Sequence, residues 1–248
     1  MGPSWMRAVL VAFAFLTRLP LRVGDSRDAD VGRSIIFFPL VGLALGMILT
    51  TAAWLVNGHV SVPVTAIGVS ALLAAMTGGL HLDGVGDVFD GLSGGHGDRE
   101  RTLTIMRDSR IGAHGVVAIV LLLLAKVFAV IAALQHDAWR ALLIFPAVGR
   151  WSATPLIVLF PYAHREGLGR RFHDHASVAD VAWATALTGA LMVSCGARFL
   201  APAVLACLVA LALGVWLQRR LGGLTGDVYG AAIEVAEVVF LVAAVGGA

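Results

Sequence analysis

Apolar residues in this chain come in long unbroken runs, with neither the alternation of a half-buried strand nor the one-sided stripe of a helix on a soluble core. Seven runs, over 34–56, 60–80, 115–134, 141–160, 181–197, 199–217 and 228–248, are long enough for a hydrocarbon layer of ~30 Å. Each predicts a spanning helix. An eighth run, Ala8 to Leu16, follows Arg7 and has only nine residues. It has the length of a signal-peptide core, but Thr17-Arg18-Leu19-Pro20 follows where small residues would mark a cleavage site. Residues 5–20 are therefore expected to form an uncleaved helix at the interface or partly re-entrant, too short to cross.

Composition narrows the class. With 58% hydrophobic residues, 14% charged and a mean hydropathy of +0.87, the chain holds too much apolar surface for disorder or for one soluble core. The expectation is an all-α integral membrane protein of about seven transmembrane helices plus the short N-terminal interfacial helix, as one domain over residues 1–248. A formal net charge of +2 implies no nucleic-acid partner. Cys195 and Cys207 fall inside apolar runs, so they make neither a disulfide framework nor a thiolate metal site.

The placement of charge says more than its sum. The N-terminal arm and the loops 81–114, 161–180 and 218–227 carry fourteen arginines, and the opposite loops carry only Arg140 and Arg198. By the positive-inside rule the N-terminus and the long loops are cytoplasmic and the C-terminus is outside. Thirteen of the sixteen carboxylates fall on the same side. Fixed charge of both signs on one face points to chemistry at the cytoplasmic surface.

The richest segment runs from His81 to Gly95, where Asp83, Asp87 and Asp90 stand at i, i+4 and i+7. As a helix this places them within roughly a 60° arc. No Lys or Arg is interleaved to relieve their repulsion, and a hard divalent cation would. Downstream, Arg107 and Arg110 are three apart and could offer planar forks to one phosphate, although positive-inside anchoring also explains them. A second acidic element, Gly222 to Asp227, precedes the last run, and Glu234 and Glu237 lie within it. Lys126 and Arg150 sit near the middle of their own runs. Intramembrane charges are costly, so these four face a polar cavity or pair with one another to fix helix packing, and pairing is compatible with a functional role. His164, His173 and His175 share one polar loop without the spacing of a closed zinc site, and read as surface residues.

Taken together, Phe15 to Pro20, Phe38 to Gly42, His81 to Gly95, Arg107 to Gly112, Gly149-Arg150-Trp151 and Gly223 through Glu237 resemble the cobalamin synthase family, the adenosylcobinamide-GDP ribazoletransferases. The resemblance covers essentially the whole chain, and His-Leu-Asp-Gly-x-x-Asp-x-x-Asp-Gly is its most specific part. It implies a Mg²⁺-dependent, multi-pass enzyme of the bacterial inner membrane. Such an enzyme joins adenosylcobinamide-GDP to α-ribazole or its 5′-phosphate and releases GMP. On that reading Asp83, Asp87 and Asp90 are catalytic and hold the metal, with Asp227 closing its shell. Arg107, Arg110, Arg18, Lys126, Arg150 and Glu234 are the expected substrate contacts. The lipid bilayer is a partner in either case, and a homo-oligomer is left open.

Two other classes fit some of these features. A cation- or proton-coupled membrane transporter would also carry intramembrane Glu, Lys and Arg, but it would usually show internal repeats and charges lining a path across the bilayer. A non-catalytic scaffold could bind anionic lipid through the basic loops, yet would not need three aspartates on one face. The orientation is directly testable. Cysteines introduced as Ser93→Cys and Ser177→Cys should resist a membrane-impermeant thiol reagent in intact cells, and Asn57→Cys should react. Outside labelling of Ser93→Cys would reverse the topology.

Overall fold

The computed structural model describes residues 5–21, 23–24 and 26–246. Arg22 and Asp25, counted above on the basic side, and residues 247–248 of the last predicted span lie outside the described residues. The chain is helical throughout, with no strand among the described residues. The helices are α1 (Trp5–Leu16), α2 (Asp28–Ser34), α3 (Phe38–Val56), α4 (Val62–Thr77), α5 (Leu80–Gly95), α6 (Arg99–Ile105), α7 (Ala113–Gln135), α8 (Trp139–Leu159), α9 (Leu168–His175), α10 (Val178–Cys195), α11 (Leu200–Leu221) and α12 (Gly226–Gly246).

All seven long apolar runs form helices, and six of them are long and apolar enough to cross a membrane. The exception is α4, whose sixteen residues reach only about 24 Å at 1.5 Å per residue. It becomes a seventh candidate only together with α5, from which it is bent by 89°. The short apolar helix expected at residues 5–20 is α1, which packs against α2 and α3.

Burial follows from the solvent. α8 is buried on nearly every face, packed by α3, α10, α11 and α12, and it is also the span that carries Arg150, Ser152 and Thr154 among its buried residues. α7 is a longer aliphatic run, and most of it faces outward, exposing Val117, Leu121 and Phe128. In a bilayer the apolar surface needs no protein cover, so polar side chains are drawn to the protein interior.

The connections gather at two ends. At one, Arg140 donates to the Cys195 carbonyl at 3.1 Å, joining the α7–α8 and α10–α11 turns. At the other lie α1, α2, α5, α6, α9 and the basic loops. There Arg99 donates to the Leu221 carbonyl at 2.6 Å, and Arg171 pairs with Asp28 at 2.9 Å. The segments grouped by their arginines are thus brought together in space.

Inside the bundle, Lys126 of α7 lies 2.5 Å from both Glu234 and Glu237 of α12, and Arg150 of α8 pairs with Glu237. All four side chains are buried. Of the two readings open for these residues, the structure shows mutual pairing. Two cations against two anions leave the cluster with no formal charge, and it clamps α7, α8 and α12 at mid-depth. Lys126→Met would leave two carboxylates without their ammonium and should destabilise the protein by about 3–5 kcal/mol. Thermal melting in detergent measures this, and the double variant Lys126→Met/Glu234→Gln should melt above the single one.

Candidate active site

The site is built where α5 crosses the start of α12. After Thr77 the chain passes through Gly78 and Gly79, with φ of 65° and 71°, a left-handed conformation that a side chain disfavours. This turn swings α5 across the basic end of the bundle, outside the spans. Glycine is a poor helix former, yet α5 contains several, and Gly84 shows one reason. A Cβ there would lie 2.6 Å from the Asp227 carbonyl, so α5 seats on the first turn of α12 only without a side chain at that point.

That approach sets Asp83 and Asp87 beside Asp227. The Asp87 carboxyl is pushed up to about 7, first by partial burial and then by the charges of Asp83, Asp227 and Asp90. Neither the Asp83 nor the Asp87 carboxylate has a hydrogen-bond or ion-pair partner among the described residues. Asp227 accepts a hydrogen bond from the Thr225 hydroxyl at 3.1 Å. Asp90 is placed differently. Its two oxygens accept from the backbone N–H groups of Gly112 at 2.6 Å and Gly115 at 2.8 Å, capping the start of α7. It shares the acidic face of α5 but is already engaged in holding α5 against α7.

Among the described residues no three His, Cys, Asp or Glu side chains converge as a ready-made metal cage. A Mg²⁺ ion does not require one, since it keeps several waters and is held by one or two carboxylates plus substrate phosphate. Facing carboxylates without a cation, on a surface open to water, fit an ion of that kind.

Two cavities meet at Asp83. One is an open cleft of about 590 Å³, lined by Thr17 and Arg18 after α1, by Gly78 and Gly79, and by Asp83. Arg18 is exposed, and its backbone N–H donates to the Met76 carbonyl at 2.8 Å, pinning the end of α1 to the end of α4. The other is a mostly apolar cavity of about 220 Å³ bounded by Phe15, Phe38, Phe172 and Tyr229, with His81, Asp83 and Asp227 at its polar edge.

A further loop closes the site. Leu224 N–H donates to the Pro161 carbonyl at 2.7 Å and Ala163 N–H to the Leu224 carbonyl at 2.8 Å, holding residues 161–164 against the turn before α12. There Arg107 Nη2 lies 2.7 Å from His164 Nδ1. His164 is held below its usual pKa by partial burial and by Arg107, and the Tyr162 hydroxyl is raised by burial and by Asp227. Arg110 is turned elsewhere. It is 86% exposed and pairs with Asp108 at 2.6 Å, and the hydrogen bonds it donates hold the Asp108 carboxyl down to about 2. Arg107 and Arg110 therefore do not converge on one point. Helix α6 ends at Ile105, so no helical repeat sets their spacing.

The other expected substrate contacts, Lys126, Arg150 and Glu234, lie beneath the cavity and bind one another. His81 is the link, with its Nδ1 3.5 Å from Arg150 Nη2. His81 and Thr225 lie inside sequence motifs that assign neither a role, and no motif marks Tyr162 or Tyr229. His164, which reads as a surface residue in the sequence, is half-buried beside Arg107. Only the glycine-flanked Thr225-Gly226-Asp227 step carried a local signal.

The cobalamin-5-phosphate synthase (CobS) family model matches residues 8–245. The chain belongs to that family. A Geotalea daltonii protein named adenosylcobinamide-GDP ribazoletransferase is 41% identical over 98% of this chain and 99% of its own length. Proteins of the same name from Pseudomonas aeruginosa PAO1 and Ectopseudomonas mendocina are 40% and 41% identical, over 96% of this chain and 97% and 98% of their own lengths. No solved structure matches.

The acidic cluster generates a pH signature. An aspartate titrates near 4 when unfolded, and Asp87 titrates at about 7 when folded. Between those values the folded state holds a proton that the unfolded chain has released. The stability it contributes is full below pH 4 and is lost as pH rises to 7. In EDTA the melting temperature should therefore fall between pH 5 and 8, and Asp87→Asn should flatten that slope. Asp90→Ala should instead destabilise the protein by about 0.5–2 kcal/mol of lost capping across the same pH range, lowering the melting temperature without changing its slope with pH.

Proposed function

We propose that this protein is an adenosylcobinamide-GDP ribazoletransferase that works with Mg²⁺ at the cytoplasmic face of a bacterial inner membrane. The hydroxyl oxygen of α-ribazole, or of its 5′-phosphate, bonds to the phosphorus attached to cobinamide. The bond from that phosphorus to the bridging oxygen breaks, and GMP leaves with the electron pair. Family membership over nearly the whole chain supports the reaction. The observation that supports the reading is the group of carboxylates Asp83, Asp87 and Asp227, with no basic side chain paired to them among the described residues, whose Asp83 lines both an open cleft with Arg18 and an apolar cavity.

Attack on a pyrophosphate is limited by negative charge on the transferring group and on the leaving nucleotide, so positioning and electrostatics dominate. A bound Mg²⁺ would supply Lewis-acid stabilisation of those oxygens, held by Asp83 and Asp87 with Asp227 and with Asp90 behind them. A carboxylate of the cluster that is not committed to the metal takes the proton of the attacking hydroxyl. Arg18 and Arg107 neutralise phosphate oxygens from either side of the cluster, and Arg110 joins them by exchanging Asp108 for phosphate. Lys126, Arg150 and Glu234 act from below, by holding α12 and His81 in place. The transporter reading gains no support, because the intramembrane charges close on one another instead of lining a path.

Purified protein given adenosylcobinamide-GDP, α-ribazole and Mg²⁺ should yield adenosylcobalamin and GMP in equal amounts, and EDTA should stop both. Asp83→Asn and Asp87→Asn should each lower the rate on the order of 10²-fold or more, about 2.7 kcal/mol of barrier, in protein that still folds. Full activity in both variants would sink the metal assignment. Arg107→Lys keeps charge but loses the fork and should also be slow. Normal kinetics there would make Arg107 an anchor of the His164 loop only.

A further inference from the structure

We propose that the apolar cavity beside Asp83 seats the flat aromatic base of the acceptor nucleoside, with His81 Nε2 and the Tyr229 hydroxyl as its hydrogen-bonding groups. This deepens the reading above and rests on it. The cavity, about 220 Å³, is bounded by a cluster of aromatic rings: Phe15 and Phe172 lie 4.8 Å apart between centroids, and Phe38 and Phe172 5.7 Å. Tyr229 adds a fourth ring from α12. Such walls suit the faces of a planar apolar ring system. They do not suit a pyrophosphate or a guanine nucleotide, and a corrin macrocycle is far too large for the space.

Two atoms in this wall have no hydrogen-bond partner among the described residues, namely His81 Nε2 and Tyr229 Oη. Their residues are 2% and 7% exposed. Buried polar groups are almost always paired, so two orphans lining one cavity point to a ligand. Their chemistry narrows it further. His81 Nδ1 faces Arg150 Nη2 at 3.5 Å, and a guanidinium can only donate. Nδ1 is then the acceptor, and Nε2 carries the proton and seeks an acceptor. A benzimidazole nucleoside offers one in-plane ring nitrogen between two apolar faces, and its ribose can meet the tyrosine hydroxyl. Asp83 and Asp227 line the same cavity, so a base seated there presents its ribose to the carboxylates. The rival occupant, a lipid acyl chain, has no acceptor for His81.

The test measures acceptor binding apart from turnover. Full-length protein in detergent is dialysed against radiolabelled α-ribazole without donor, and KM for each substrate is then determined. Tyr229→Phe should raise Kd and KM for α-ribazole up to about tenfold, as expected for one lost hydrogen bond, and leave the donor KM within about twofold. Ala153→Leu, which puts a side chain into the cavity, should raise both acceptor constants by at least about tenfold on the same scale. Unchanged acceptor constants in Tyr229→Phe overturn the proposal even if Ala153→Leu does not fold. Lipid that copurifies with wild type and is lost from Ala153→Leu, with the acceptor KM unmoved, overturns it in favour of an acyl chain. A wild-type protein that releases no GMP sinks the enzyme reading itself, whereas normal turnover with indifferent variants sinks only the pocket.

Discussion

Charge neutralisation inside the bundle is the interaction on which the rest depends. Lys126, Arg150, Glu234 and Glu237 are each prohibitive in a bilayer alone, and together they cancel. Their pairing decides the rotation of three helices at once, because α7, α8 and α12 must all turn a charged face to one point. With α12 so fixed, Asp227 on its first turn is aimed at the basic end. With Arg150 so fixed, the His81 ring has an orienting partner.

The site inherits that precision through backbone contacts. α5 is placed by a double-glycine turn at one end, by Gly84 against Asp227 in its middle and by Asp90 on the start of α7 beyond it. Little in this arrangement is a flexible loop. The acidic cluster is consequently held together against its own repulsion, and partial burial first and that repulsion second raise the proton affinity of Asp87. A site strained in this way, with its charges uncompensated by protein cations, stores an affinity for positive charge. The two cavities that meet at Asp83 divide the surroundings into a polar, open half and an apolar, enclosed half. A reaction joining a large anionic donor to a small aromatic acceptor needs that division.

Much of this was legible in the residues. The seven apolar runs, the short N-terminal helix, the grouping of basic loops and the acidic face of α5 all follow from local rules: length against bilayer thickness, positive-inside bias and helical spacing. The same rules failed where they do not apply. Arg107 and Arg110 lie past the end of α6, so their spacing carried no information about direction. Asp90 obeys the spacing of its neighbours and still differs from them, because its partner is the backbone of another helix.

The sequence by itself determined the membrane class, the helices and the set of residues able to do chemistry, since each rests on interactions with solvent or with neighbours a turn away. Only the tertiary structure decided which of those residues meet. The pairing of Lys126 with two glutamates more than a hundred positions away, the seating of Gly84 on Asp227, and the cavity that leaves His81 Nε2 and the Tyr229 hydroxyl without partners among the described residues are all long-range. Each depends on how helices distant in the chain are rotated against one another. That rotation is set by packing and buried charge, which no local pattern encodes.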